Sequence, residues 1–121
     1  MIRFRPDGTL DRTFGDEGIV VSFVGWSVRT LAIDDRGRIV VSGVPYKEGG
    51  EGSLADLDDF IVARYTARGE LDPTFGTVRS TMEAVEVMWA LAVQPDGRIV
   101  VAGQSGRTFS EQTGFALARL R

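Results

Sequence analysis

Leu31–Gly43 reads LAIDDRGRIVVSG, and Leu91–Gly103 reads LAVQPDGRIVVAG, 60 residues further on. In each copy two apolar runs flank a polar turn. The runs are short and rich in Val and Ile, which suits strands rather than helices. In the second copy Pro95-Asp96-Gly97 makes the turn. Pro presets φ at the first position, Asp tolerates the next, and Gly supplies a positive φ. Asp35-Arg36-Gly37 does the same without Pro, with Arg36 standing where the second copy has Asp96. The stretch is therefore an antiparallel hairpin, and the chain contains it twice.

Working outward, other blocks recur in the same order. LDRTFG at Leu10–Gly15 returns as LDPTFG at Leu71–Gly76, and DFIVARYT at Asp59–Thr66 returns as GFALARLR at Gly114–Arg121. A truncated third copy of the last block opens the chain, with Ile2-Arg3-Phe4-Arg5 matching Ala118-Arg119-Leu120-Arg121. An internal period of this length signals a repeat architecture. The spacing divides the chain into a partial strand and turn over 1–9, one unit over 10–66 and a second over 67–121.

Each unit reads as four short strands. They are Gly18–Val24 (weaker in its second copy, Thr81–Val87), Arg29–Ile33 with Trp89–Val93, Arg38–Ser42 with Arg98–Ala102, and Phe60–Tyr65 with Phe115–Leu120. Between strands, Asp72-Pro73 reads as an N-cap followed by Pro at the first position of a single helical turn. Leu71 and Phe75 are expected to plug that turn into the core.

The Phe60–Tyr65 strand carries most information. Alternation puts Phe60, Val62 and Arg64 on one face and Ile61, Ala63 and Tyr65 on the other. Both faces are largely apolar, so both are expected to be covered. Four antiparallel strands per repeat, covered on both sides, describe a propeller blade between neighbours. A β-sandwich would show one polar face per strand. The expectation is all-β, with two four-stranded antiparallel blades per chain.

Composition narrows the function classes. The 121 residues carry a net charge of −3 and include neither His nor Cys. Disulfides, thiolate chemistry and the commonest general base are thereby excluded. A basic footprint for nucleic acid is absent. No apolar run approaches the roughly 20 residues of a membrane span, and the start MIRFRPDGTL is too polar for a signal peptide. Location is left open.

The pattern FxxARYxxxGxLDxTFG, then LAxxxDGRIVVxG, then FxxAR, resembles the delta-60 repeat of bacterial proteins, a β-propeller repeat. Here the carriers are Phe60, Ala63, Arg64, Tyr65, Gly69, Leu71, Asp72, Thr74, Phe75 and Gly76. They continue as Leu91, Ala92, Asp96, Gly97, Arg98, Ile99, Val100, Val101 and Gly103, then Phe115, Ala118 and Arg119. The resemblance implies a repeat scaffold and brings no catalytic residue with it.

Propellers usually close with 4–8 blades, and this chain carries two. Two to four chains would complete such a ring, the expectation being a homo-oligomer with six or eight blades; the alternative is a fragment of a longer array. In that ring Ile2–Arg5 and Ala118–Arg121 compete for one place. The longer C-terminal copy is expected to win, with the N-terminal copy displaced or extending an edge.

Candidate chemistry is sparse. Arg3, Arg64 and Arg119 recur at one repeat position, as do Asp11 and Asp72. A repeated anion site and a structural Arg–Asp bridge both fit, and the bridge is the reading adopted. Asp56, Asp58 and Asp59 are the calcium candidates, although the glycines lie upstream of them rather than among them. Trp26 and Trp89 do not align in the repeat; packing is the expected role, ligand stacking the alternative. Gly97 and Phe75 are read as structural. No cofactor is implied. The sequence thus points to a non-enzymatic scaffold with an interaction role. Any ligand is expected at a ring face near the loops Val44–Asp58 and Gln104–Thr113; a ligand- or glycan-binding propeller using Trp26, Trp89 and the acidic loop is the alternative, and a glycan-cleaving enzyme using Glu83 and Glu86 the third reading.

Overall fold

The computed structural model describes residues 1–21, 26–45, 60–79, 85–106 and 112–120. Seven strands run in chain order: β1 Trp26–Ile33, β2 Ile39–Pro45, β3 Ile61–Tyr65, β4 Thr77–Arg79, β5 Val85–Val93, β6 Ile99–Gly106 and β7 Gln112–Leu120. They form a four-stranded sheet in the order β1-β2-β3-β4 and a three-stranded sheet in the order β5-β6-β7. Every pairing is antiparallel. The chain is all-β, and no helix occurs among the described residues.

Both expected hairpins form, and in the same way. The Asp34 amide donates to the Arg38 carbonyl and the Gln94 amide to the Arg98 carbonyl, with Gly37 and Gly97 at φ 73° and 82°. Each hairpin also carries a bulge at one repeat position, between Val28 and Thr30 in β1 and between Met88 and Ala90 in β5. The glycine ending each VxG block sits opposite it: Gly43 pairs with Val28, and Gly103 with Met88. A Cβ on Gly43 would run into the Ser27 carbonyl. That close approach explains why the first block ends in Gly.

The grouping of strands differs from expectation. The run after TFG does not open a unit. It closes the sheet before it, because Val62 pairs with Val78 and Ala63 with Thr77. The four-stranded sheet therefore spans 26–79 rather than 10–66. The turn decides this: the Asp72 amide donates to the Arg64 carbonyl, so the chain folds straight back along β3. The second sheet has three strands among the described residues, not four.

Residues 1–21 repeat the closing half of a sheet. Ile2 bridges Ile19, as Ala63 pairs with Thr77. In the single chain Met1–Arg5 is thus seated against its own turn.

Three layers result: the N-terminal half-sheet, the first sheet and the second sheet. β3 is covered on both faces. Ala63 and Tyr65 join Phe14, Ile39 and Val41 in one core, with Met1 and Val20 packed against it. Val62 and Phe60 join Val40, Met88, Ile99 and Val101 in the other, which also receives Phe75, Leu91, Val93, Ala118 and Leu120. Each fully buried side chain of this kind is worth about 1.5–3 kcal/mol. The turn plug is half as expected. Phe75 reaches the core, while Leu71 stays exposed.

Candidate functional site

The recurring Arg and Asp meet in one local motif. Arg64 lies on β3, and Asp72 follows it by one short turn. Arg64 Nε donates to Asp72 Oδ2 at 2.7 Å, and a second guanidinium nitrogen donates to Thr74 Oγ1 at 3.0 Å. Asp72 Oδ1 accepts from the Thr74 amide and hydroxyl. The guanidinium lies over the Phe75 ring, 4.8 Å from its centre. The N-terminal copy repeats the set: Arg3 Nε is 2.8 Å from Asp11 Oδ2, Thr13 bonds Asp11 Oδ1, and Phe14 lies under the guanidinium.

Asp72 is buried, and its carboxyl is lowered to about 2. The Thr74 hydroxyl is the chief cause, then the Thr74 amide, with Arg64 adding to both against the opposing effect of burial. Asp11 is lowered for the same reasons, Thr13 first. Hydrogen bonds to the ionised form favour it. These Arg side chains are spent on the turn and its Phe, which leaves little for an outside anion. Arg3 has a further partner, donating to the Ala67 carbonyl at 2.6 Å. With the Gly15 amide on the Arg68 carbonyl, this contact ties the N-terminal half-sheet to the first sheet.

Arg119 occupies the same repeat position without the motif. It is exposed on β7, and no carboxylate among the described residues pairs with it. It does reach Asp96 electrostatically. The Arg98 amide is the main cause of the lowered Asp96 carboxyl, followed by the Arg98 guanidinium and then Arg119.

The two hairpin turns frame a polar cleft of about 280 Å³ lined by Asp35, Arg36, Arg38, Arg64, Pro95, Asp96 and Gly97. Its charges are largely paired. Arg38 Nε donates to Asp34 at 2.6 Å, Arg98 pairs with Asp96, and Arg64 is held by Asp72. Asp34 does not stand out in the sequence. It accepts from the Arg36 and Arg38 amides and so does for the first turn what Asp96 does for the second. The mismatch of Arg36 with Asp96 is thereby resolved: the carboxylate moves two places, and Gln94 stands where the first copy has Asp34.

The other expected site residues are scattered. Trp89 does not join either core. It sits at the β5 bulge, 59 % exposed, its indole Nε1 donating to Gln104 Oε1 at 3.3 Å. Trp26 opens β1 opposite Pro45. Asp56, Asp58, Asp59 and Glu83 lie outside the described residues, as does most of the loop 44–58. β6 and β7 extend into the expected loop 104–113, and Glu86 falls on β5.

One surface is not evident from the sequence. The second sheet turns Ile99, Val101, Ala118 and Leu120 toward the shared core, so Val100, Ala102, Leu117 and Phe115 alternate onto its outer face. Phe115 is 87 % exposed and Leu117 65 %, with Trp89 nearby. The available signal was the repeat itself, since these positions match Phe60 and Val62.

No curated protein and no solved structure matches the chain significantly. A family model does: the beta-propeller domain of unknown function DUF5122, over residues 37–75 and 94–121. The matched segments take in the end of the first hairpin turn, β2, β3 and the turn through Phe75, then the whole second hairpin turn, β6 and β7. They cover more than half of the chain, which therefore belongs to the DUF5122 beta-propeller family.

Proposed function

We propose that this chain is a non-enzymatic β-propeller repeat module, of the delta-60 kind, whose role is structural: it presents an interaction scaffold once several copies have closed into a ring. One observation carries the reading. The outer face of the second sheet bears Val100, Leu117 and Phe115, at the repeat positions of Val40, Val62 and Phe60, which the first sheet buries against its neighbour. A face that one repeat buries and the next leaves bare calls for cover. Large exposed apolar patches in soluble proteins mark interaction sites. The paired charges of the Arg–Asp motifs fit a scaffold, since they are engaged within the repeat.

Light scattering at several concentrations tests this reading. The chain weighs 13.2 kDa. Two to four copies, giving four to eight blades, correspond to roughly 26–53 kDa. A single-chain mass at all concentrations would refute the ring.

A second reading rests on Trp89. An exposed indole held by Gln104 offers a stacking platform for a sugar ring or another flat ligand. Binding to a glycan array that disappears in Trp89→Ala would favour it over a purely structural role.

A further inference from the structure

The cleft between the two hairpin turns lies at the opposite end of the strands from Pro45 and Gly106, where β2 and β6 end. It crosses the boundary between the sheets: Asp35, Arg36 and Arg38 come from the β1–β2 turn, and Pro95, Asp96 and Gly97 from the β5–β6 turn. Among the residues that line it, only Pro95 has an apolar side chain. Small-molecule pockets are mostly apolar with a few polar groups. An occupant of this one has to be polar on nearly every side.

The first turn supplies prearranged cations. Buried Asp34 accepts from the Arg36 and Arg38 amides, and its second carboxylate oxygen accepts from Arg38 Nε at 2.6 Å. That bond holds the Arg38 side chain in one pose, 23 % exposed. A guanidinium carries five N–H donors, so Nε on Asp34 does not saturate Arg38. Arg36 is exposed, and its guanidinium makes no ion pair among the described residues. Planar forks of this kind match carboxylate and phosphate. The sequence carries the signal. Arg36 stands where the second turn has Asp96. Asp34 takes over the carboxylate's work on the backbone, which frees position 36 for a cation.

The two acids select against a bare anion. Asp35 and Asp96 line the same cleft and repel an occupant that is anionic all round. Asp96 is already bonded by the Arg98 amide and guanidinium. Its charge is met, and its remaining lone pairs suit neutral donors rather than a second cation. Hydroxyl groups are such donors. An inorganic anion brings few of them, and an amino acid brings an ammonium instead.

We propose that this cleft binds a small polyhydroxylated oxyanion, a sugar acid or sugar phosphate. Arg36 and Arg38 take the oxyanion, while Asp35 and Asp96 accept from hydroxyls. The volume of about 280 Å³ suits one sugar ring rather than a chain of them. Both turns belong to one chain, so the site does not depend on copies assembling.

Titration followed by amide NMR shifts and by calorimetry tests the site, with galacturonate and glucose-6-phosphate as probes. Shifts are expected at Asp35–Arg38 and Asp96–Arg98 for at least one of them, and the tighter probe tells carboxylate from phosphate. Glucose, inorganic phosphate and serine should each bind at least about tenfold more weakly, the loss of one charge-assisted contact. Arg36→Gln, a surface change that should leave circular dichroism unaltered, should weaken the better probe by about tenfold for the same reason. Arg12→Gln removes an exposed arginine paired with Glu17 and should leave binding as it is. No shift with either probe, or equal losses in Arg36→Gln and Arg12→Gln, would overturn the site. Inorganic phosphate or serine binding as tightly as the probes would overturn the choice of ligand.

Discussion

The two sheets are copies of one design with different fates. In the first, Val40, Val62 and Phe60 are buried against the second sheet, and Ile39, Val41, Ala63 and Tyr65 are buried against Phe14. In the second, Ile99 and Val101 are equally buried, but Leu117 and Phe115 stand exposed at the positions of Val62 and Phe60. Position in the array, rather than side-chain chemistry, decides whether a repeat residue is core or surface. Phe60 and Phe115 show it most plainly, being the same residue at the same repeat position.

Substituting that pair should give the strongest response. Phe60→Ala empties a filled site and should cost about 3–5 kcal/mol in chemical unfolding. Phe115→Ala, measured at dilutions where single chains prevail, should change stability by no more than about 0.5 kcal/mol while weakening self-association. Equal losses in both variants would erase the difference between the sheets.

Next comes the bulge. Gly43→Ala forces a methyl group against the Ser27 carbonyl, and overpacking of this kind costs roughly 1–3 kcal/mol. Thermal unfolding should show a clear drop, and an unchanged midpoint would mean that the bulge relaxes freely.

The acid limb of stability ranks below it. Asp72 titrates at about 2 when folded against an ordinary 3.8. A depressed carboxyl stabilises the fold above its unfolded pKa, and the contribution is lost as pH falls from about 4 toward 2. Asp72→Asn should therefore lower the unfolding temperature at pH 7 and flatten its decline between pH 4 and 2. A variant with the same acid slope as the parent would show that this motif does not govern the acid response.

Trp89→Ala should matter least, within about 0.5 kcal/mol in the single chain. A larger loss would mean that the indole packs more than its exposure suggests.

Much of the fold was legible because the repeat supplied two readings of each element. The Asp34–Arg38 and Gln94–Arg98 turns, the two-faced β3 strand and the eight-residue spacing of Arg64 and Asp72 can all be read from residue order. Two things could not be read. Strand grouping failed because a repeat has no intrinsic start. The same run after TFG can open one sheet or close another, and only the backbone bond from Asp72 to Arg64 shows which. The orientation of Trp89 failed because simple alternation from Leu91 would place it inside. The bulge adds one residue, so Met88 enters the core and Trp89 leaves it. Of the candidate site, the outer face of the second sheet was hidden for the same reason that Phe60 and Phe115 look alike in sequence.

The scaffold reading of this chain turns on the open face of the second sheet being an interface between copies. Native mass spectrometry of the parent chain beside Leu117→Asp decides it. Multiples of 13.2 kDa are predicted for the parent and a single-chain mass for the variant, with both folded by circular dichroism. A parent that stays single at all concentrations, or a Leu117→Asp variant that assembles as well as the parent, would contradict it.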